Sequence, residues 1–224
     1  GFRGLPDGVM GISPGLPDFW REEMPEIEVA RTGVCPLPVE SPSVQARPTR
    51  GAGAPLVLGY AGRIERAQKR LDLLPGLLDA LDGLGVDYRF ELAGTGAFQP
   101  WLQQRLGPRV RFHGRLANED YWRALSDWDG AVYFSENEGG PIALLEGMAV
   151  GAIPFYPRNG GSWADAHAPR VDPLCHYPPG NMTALASAVQ QVFSRTPAAV
   201  AALRMAARSL VKIHDRDVYR AFCS

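Results

Sequence analysis

The sequence has 224 residues, of which 46% are hydrophobic and 21% are charged, and its formal net charge at pH 7 is −1. This length suits one large domain, or one domain with an additional segment, and the apolar fraction suffices for a substantial core. The near-neutral charge argues against a protein that binds duplex nucleic acid, because such proteins need a basic surface.

Cysteine usage and hydropathy exclude further classes. The three cysteines are odd in number and scattered, at Cys35, Cys175 and Cys223. Neither a disulfide framework nor a structural zinc site is expected, and a reducing cytosol fits best. No uninterrupted apolar run is long enough to cross a bilayer. The first residues, Gly1-Phe2-Arg3, look like neither a signal peptide nor an initiation site, so we expect a cut or processed end.

The first 52 residues are the least patterned part of the chain. They contain short apolar stretches at 9–12 and 27–29, and the proline-rich residues 36–55 resemble a linker. We therefore divide the chain into a connecting segment at 1–52 and a folded domain at 53–224.

From Leu56 onwards, strands and helices alternate. Short apolar runs predict strands at 56–61, 88–93, 110–114, 130–135 and 152–156. Helices are predicted after the cap residue Asp72, at 98–106, after the cap residue Asn118, at 141–150, after Asn181, and around 200–211. This order implies right-handed crossovers and an α/β fold, with a Rossmann-like parallel sheet flanked by helices.

Ligands of such sheets bind beyond the carboxyl ends of the strands. That rule selects the loops at 62–69, 94–96, 114–116, 135–142 and 157–162.

The segment after the fourth predicted strand contains the strongest candidates for ligand binding. Glu138 lies in a loop, and Gly139 and Gly140 allow the backbone to come close to a ligand. Pro141 is suited to the first helical position, because its missing N–H would be unpaired there. The amide groups of residues 142–144 (Ile142, Ala143 and Leu144) would then point out of the helix, which makes an anion site suited to a diphosphate.

A second carboxylate follows on the same helix. Glu146 comes eight positions after Glu138, and a fully helical spacing would separate their Cα atoms by roughly 12 Å. One carboxylate could therefore bind a sugar and the other a ribose, with the diphosphate between them.

This segment resembles the characteristic motif of the retaining glycosyltransferases of family four, which have the GT-B fold. Their motif has two glutamates separated by seven residues, E-G-x-[GP]-x-x-x-x-E-x-[ML]-A-x-G, followed by a proline. The matching residues are Glu138, Gly139, Pro141, Glu146, Met148, Ala149, Gly151 and Pro154. The resemblance implies that Glu138 contacts hydroxyls of the donor sugar and that Glu146 binds the ribose hydroxyls of the nucleotide.

A second block, residues 60–74, is similar to the family's strand–G–R–loop–K pattern. The resemblance implies that Gly62 lies at the donor and that Arg63 and Lys69 neutralise its diphosphate. The loop is one residue longer than usual, and Arg70 replaces the glycine that commonly follows the lysine. The longer loop leaves Arg66 as an alternative to Lys69.

Further sequence blocks resemble the family less strongly, but they follow in the same order and with similar spacing. Residues 92–96 and 110–114 resemble the family's next strand ends, which line the nucleobase pocket and here carry Gly94 and His113. Gly160 and Gly161 resemble the glycine pair of a later donor loop, although residues 163–165 depart from the usual proline and glutamate.

Each feature also has an interpretation without a ligand. The Gly94-Thr95-Gly96 run can be a tight turn, and Glu138 can merely complement a helix dipole. Glu146 can lie on a solvated helix face, and the cations at 63–70 can be a solvated charge run. His113 can simply end a strand.

The resemblance covers residues 56–193 and implies transfer of a hexose from a UDP- or GDP-sugar to a glycan or glycolipid acceptor, with retention of configuration. It implies no metal or other cofactor, no nucleic-acid partner, and a cytoplasmic enzyme of glycan biosynthesis whose peripheral association with the inner face of the membrane stays open. Residues 9–36 are similar to the stretch that leaves the first, acceptor-binding domain, and we expect most of that domain to be missing. We therefore expect donor binding with little or no transfer.

Two other functions stay open. One is a non-catalytic module that binds nucleotide sugars, and the other is an epimerase or a phosphorylase on the same GT-B architecture. The last stretch, residues 214–224, is similar to the family's C-terminal helix and is expected to lack its usual partner.

Overall fold

The computed structural model describes residues 8–11, 22, 31–34, 39, 53–136, 138–159 and 162–211. The strands of this part are β1 Gly8–Gly11, β2 Arg31–Val34, β3 Leu56–Ala61, β4 Tyr88–Ala93, β5 Val110–Gly114, β6 Gly130–Val132, β7 Ile153–Pro157 and β8 His176–Tyr177. The helices are α1 Leu74–Gly83, α2 Gln99–Leu106, α3 Asn118–Asp127, α4 Ile142–Ala149, α5 Trp163–Val171, α6 Met182–Phe193 and α7 Pro197–Val211.

Strands β3 to β8 form one parallel sheet in the order β5-β4-β3-β6-β7-β8. The chain builds the sheet outward from β3 in one direction and then returns to build it from β6 in the other. The predicted fold class, a Rossmann-like parallel sheet flanked by helices, is confirmed. Strands β1 and β2 pair in parallel as a separate two-stranded sheet.

The two halves of the main sheet separate between β3 and β6. Strands β3 and β6 are paired only at Leu58–Gly130 and Gly59–Ala131. Beyond these pairs, the Tyr133 hydroxyl donates a hydrogen bond of 3.1 Å to the carbonyl of Ala61. The separation opens a crevice at the carboxyl ends of the strands, at the switch point where ligands bind in such sheets.

Close packing fixes the centre of the sheet. The fully buried Trp128 lies against Gly59, where an added Cβ would come within 2.0 Å of the indole ring. The indole N–H donates to the buried Glu91 carboxylate at 3.3 Å. Gly59 is therefore required by the approach of a tryptophan and has no part in the crevice.

Most predicted elements agree with the structure, and the differences lie at their ends. Strands β3, β4 and β5 have the predicted bounds, whereas β6 ends at Val132 instead of residue 135. It ends early because its partner β3 has already diverged. Strand β7 covers 153–157 instead of 152–156.

Two predicted caps are wrong. A 3-10 turn at Leu71–Leu73 precedes α1, and the Asp72 carboxylate accepts from the Arg70 guanidinium at 3.2 Å instead of capping the helix. Asn118 is the first residue of α3 and does not cap it, and the first turn is complemented by acidic residues that follow it. The Asn181 cap is confirmed, because its side chain accepts from the Ala184 amide at 2.9 Å.

Helix α5 and the short strand β8 were not predicted. The start of α5 is a capping box in which the Ser162 hydroxyl and the Asp165 carboxylate bond each other's backbone amides. None of the described helices is long and apolar enough to cross a membrane. The division at residue 52 stays a prediction, and the predicted C-terminal stretch 214–224 lies outside the described residues.

Candidate functional site

A cavity of about 380 Å³ occupies the crevice. Its walls come from the loops after β3, β4 and β5, from α3 and from the first turn of α4. The lining residues are Gly62, Arg63, Ala93, Gly94, Thr95, Arg115, Leu116, Tyr121 and Ala143. Three of the five loops selected from the sequence therefore meet at one place.

The glycines of the loop after β4 are required by close backbone contact. A Cβ on Gly94, whose φ is +137°, would lie 2.0 Å from the carbonyl oxygen of Gly62. A Cβ on Gly96 would lie 2.2 Å from the carbonyl oxygen of Ile64. The tight-turn interpretation accounts for both glycines, and Gly94 also lines the cavity.

Lys69 and Glu138 form an ion pair at the edge of the sheet where the carboxyl ends of the strands lie. The Lys69 ammonium donates to Glu138 Oε1, and the two side chains are only 17% and 9% exposed. The contact joins the loop after β3 to the loop after β6. The two candidate residues from separate sequence blocks are therefore neighbours, and neither of them lines the cavity.

Arg70, which stands where the family pattern commonly has glycine, has a left-handed backbone conformation. Its φ is 49° and its ψ is 37°, and it is the one non-glycine residue with positive φ among those that the structure describes. Such a conformation is strained for a residue with a Cβ. The Arg70 guanidinium pairs with Glu136 and Asp72, which holds this turn against the loop after β6.

The candidate cations differ in position. Arg63 lines the cavity, and its guanidinium bonds Glu65 at 2.8 Å and Gln68 at 3.0 Å. Arg66 is exposed and does not line the cavity. Arg115, which the sequence analysis did not single out, lines the cavity and has no ion pair within the described ranges.

The start of α4 differs by one residue from the prediction. Pro141 is the cap residue and Ile142 is the first helical residue, because the ψ of Pro141 is 84°. The Leu144 amide is not free, since it donates to the Pro141 carbonyl at 3.0 Å. The predicted anion site is thus reduced to the amides of Ile142 and Ala143, which have no acceptor inside the helix. Gly139 and Gly140 are half-buried in the loop before it.

Glu146 is half-buried and faces α3, so it does not lie on a solvated helix face. The Tyr121 hydroxyl donates to Glu146 Oε2 at 2.5 Å. Burial raises the pKa of the Glu146 carboxyl above its ordinary value, and the hydrogen bond from Tyr121 opposes that rise. Burial and the nearby Glu146 charge raise the pKa of the Tyr121 phenol.

His113 lies away from the cavity lining. The pairing of β4 with β5 shifts register between Leu92 and Ala93, which leaves His113 as the extra residue of a bulge. Its Nε2 is 2.9 Å from Glu91 Oε2. The residues after it, Arg115 and Leu116, line the cavity instead.

The loop after β7 is organised by one carboxylate. Asp165 Oδ1 accepts from the Asn159 amide at 3.0 Å and is 2.8 Å from His176 Nε2. Gly161, the predicted donor residue of this loop, lies outside the described residues.

Five lining residues were missed by the sequence analysis as individual candidates, and one of them, Ala93, is the last residue of β4. Thr95, Arg115 and Leu116 lie in loops that the strand-end rule selected, so that rule could have found them. Tyr121 had no such signal, because it lies on helix α3 and not in a loop at a strand end. Among the described residues, no group of three His, Cys, Asp or Glu could hold a metal ion, and the absence of a metal requirement stays a prediction.

Comparison with curated proteins gave no match, but solved structures share the fold. TarM from S. aureus, solved as a mutant in complex with fondaparinux, alpha-GlcNAc-glycerol and UDP, has a TM-score of 0.73 and 15% identity over 96% of this chain. The lipopolysaccharide outer core galactosyltransferase WaaB has a TM-score of 0.73 and 20% identity over 95% of it. The pneumococcal O-GlcNAc transferase GtfA, solved with UDP and GlcNAc, has a TM-score of 0.71 and 12% identity over 96% of it.

This chain covers 42%, 59% and 44% of the lengths of those three proteins. Their identities are low, so the likeness establishes a shared fold, which is that of the GT-B glycosyltransferases. The family described as "Glycosyl transferases group 1" matches residues 55–195, which include β3 to β8 and the whole crevice. The match spans more than half of the sequence, and the chain therefore belongs to the group 1 glycosyl transferases.

Proposed function

We propose that this chain is the donor-binding part of a retaining family four glycosyltransferase, of the hexosyltransferase type, which uses a UDP- or GDP-sugar. The observation that carries the proposal is that Arg63, the first turn of α4 and Tyr121, which bonds Glu146, line one cavity, while the Lys69–Glu138 pair joins the loops after β3 and β6. Two of the similar structures contain UDP, which supports UDP as the first nucleotide to test.

The arrangement suggests an order for the parts of the donor. The base lies by the loops that carry Thr95 and Leu116, and the ribose bonds to Glu146. The diphosphate lies between Arg63 and the amides of Ile142 and Ala143, where cation and helix dipole act together. The donor sugar then lies towards Lys69 and Glu138.

Donor binding redistributes the Lys69–Glu138 pair. Glu138 accepts hydrogen bonds from sugar hydroxyls, while the Lys69 ammonium turns to the phosphate that departs with the nucleotide. Fixed cations and amides stabilise the negative charge that develops on the leaving diphosphate, the role that a metal ion has in other transferases. We propose that no metal is required.

The acceptor is proposed to be a glycan or glycolipid bound to a further domain, as in the two-domain fold. The chain by itself is then expected to bind donor and to transfer little sugar, because closure of a cleft between two domains positions both substrates. We also propose a cytoplasmic location, with peripheral association at the inner face of the membrane as a further possibility to test.

Calorimetric titration with UDP, GDP and their hexose conjugates tests the donor role. Glu146→Ala is expected to weaken nucleotide diphosphate binding by about tenfold or more, through loss of charge-assisted hydrogen bonds. Arg66→Ala is the matched control and should leave binding unchanged. Failure of the wild-type chain to bind any nucleoside diphosphate would overturn the proposal, as would equal affinities of wild type and Glu146→Ala.

Product analysis with the chain joined to an acceptor-binding domain separates the three candidate functions. Transfer with retention supports the proposal. A turnover-free complex favours the binding module, and an epimerised sugar or a sugar phosphate favours the epimerase or the phosphorylase.

A further inference from the structure

We propose that Tyr121 is a positioning residue for the ribose site: it fixes the Glu146 carboxylate in the orientation that accepts the ribose hydroxyls of the donor. The inference rests on the proposed function and goes beyond the motif from which that function was read, because Tyr121 belongs to none of the matching sequence blocks.

The tyrosine is itself held firmly on α3. It lies in the first turn, where its amide donates to the Ala117 carbonyl at 2.8 Å. Its ring meets the neighbouring Trp122 ring edge to face, with centroids 5.7 Å apart. Trp122 packs in turn against the core. The direction of the Tyr121 hydroxyl is therefore set by the helix and by its packing.

That hydroxyl spans from α3 to α4. It donates to Glu146 Oε2 at 2.5 Å, while the Tyr121 ring forms part of the cavity wall. A carboxylate has two oxygens that accept hydrogen bonds. With one acceptor site of Oε2 taken by the phenol, both acceptor sites of Oε1 remain for the ribose hydroxyls.

Because the Glu146 carboxylate is half-buried, it needs a hydrogen-bond donor such as the Tyr121 hydroxyl. Burial raises the pKa of the carboxyl, and the Tyr121 hydrogen bond counteracts this by stabilising the charged form. A charged, oriented carboxylate binds hydroxyl groups more strongly than a protonated or rotating one. Removal of the phenol oxygen should therefore weaken recognition of the ribose in particular.

The test compares UDP with 2′,3′-dideoxy-UDP, which lacks both ribose hydroxyls, by calorimetric titration of wild type and Tyr121→Phe. Wild type is expected to prefer UDP by roughly tenfold or more. Tyr121→Phe keeps the ring and is expected to reduce that preference about three- to tenfold, with the affinity for the dideoxy nucleotide unchanged. A purely structural role of Tyr121 would lower both affinities equally and leave the preference intact, which would overturn the inference.

Two further variants complete the test. In a Glu146→Gln background, Tyr121→Phe should have little additional effect on the preference, because the tyrosine acts through the carboxylate; an undiminished effect contradicts the inference. Tyr88→Phe is the matched control, since the Tyr88 hydroxyl also bonds a carboxylate, Asp82 at 2.9 Å, but lies outside the cavity lining.

The failures of the two proposals are distinguishable. Absence of nucleoside diphosphate binding by wild type removes the donor site and the inference together. Tight UDP binding with no preference over the dideoxy form keeps the donor site and refutes the ribose role. If Tyr121→Phe does not fold, the preference for UDP over the dideoxy nucleotide is compared between wild type and Glu146→Gln. Equal preferences would overturn the inference, because Tyr121 would then have no carboxylate through which to act.

Discussion

At the scale of the residue, Glu146 combines a proposed binding role with an unfavourable position for folding. Burial raises the pKa of its carboxyl in the folded state above the ordinary value of 4.5. The folded state therefore holds this proton more tightly than the unfolded state. The favourable contribution of the group is present below the unfolded pKa and is lost as the pH rises through the folded pKa.

We predict that Glu146→Gln increases the free energy of unfolding at pH 7 while it weakens nucleotide binding. The gain should shrink as the pH falls from 7 through the folded pKa towards 4.5, and it should be absent below 4.5, where the carboxyl is protonated in both states. Urea denaturation across this pH range measures it. Glu119→Gln on α3 is the control, because the Glu119 side chain is 87% exposed. A gain that does not depend on pH would contradict the prediction.

Lys69 and Glu138 also have a structural role in the absence of donor. Because both side chains are largely buried, removal of one partner leaves an uncompensated charge. We predict that Lys69→Met lowers the free energy of unfolding by about 3 kcal/mol. The double variant Lys69→Met/Glu138→Gln should recover much of this loss, as measured by urea denaturation. A double variant less stable than Lys69→Met would show that the pair is not coupled.

At the scale of the element, the site is built where loops approach each other too closely for side chains. The backbone of Gly62 bonds to Ala93, and that of Ile64 bonds to Thr95, each at 3.0 Å. These bonds lock the loop after β3 to the loop after β4. The cavity wall is thus a rigid backbone surface, with glycine at Gly94 because any Cβ there meets the Gly62 carbonyl.

We predict that Gly94→Ala destabilises the protein by more than about 1 kcal/mol, from the positive φ and the backbone clash together. It should also weaken nucleotide binding, because the Gly62 loop must move. Thermal unfolding and titration measure the two effects. Gly83→Ala at the end of α1 is the control, since nothing lies within 4 Å of its added Cβ, and it should be neutral or stabilising. Equal effects of the two substitutions would contradict the argument.

At the scale of the whole molecule, the strand order decides where cations and helix dipole meet. Strand β3 lies between β4 and β6, and the cavity at its carboxyl end is lined by Arg63 from the β3 loop, Arg115 from the β5 loop and the start of α4. The three features are distant in sequence. An anion bound in the crevice would therefore have positively charged groups and helix amides on several sides.

We predict that Arg63→Ala and Arg115→Ala each weaken UDP binding about three- to tenfold and leave uridine binding nearly unchanged, since their partner is the diphosphate. The wild-type affinity for UDP should fall as salt rises, because both contacts are partly exposed. Calorimetry with UDP and uridine at two salt concentrations measures this. A larger effect from Arg66→Ala would mean that the longer loop has moved the cationic role to Arg66.

The sequence by itself determined the architecture and the motif. Apolar runs that alternate with helical periodicity can be buried only as a parallel sheet with helices, and three strands have their predicted bounds. The glutamate motif placed Glu138 in the loop before α4 and Glu146 on that helix. Local chemistry fixed these features, because strand burial, proline position and glycine content act over a few neighbouring residues.

Only the tertiary structure decided which side chains meet. The Lys69–Glu138 pair spans 69 positions, and the Tyr121–Glu146 contact spans 25. The bulge that turns His113 to Glu91 depends on pairing between strands. No local pattern records such contacts, because they follow from the order and divergence of strands that are far apart in the chain.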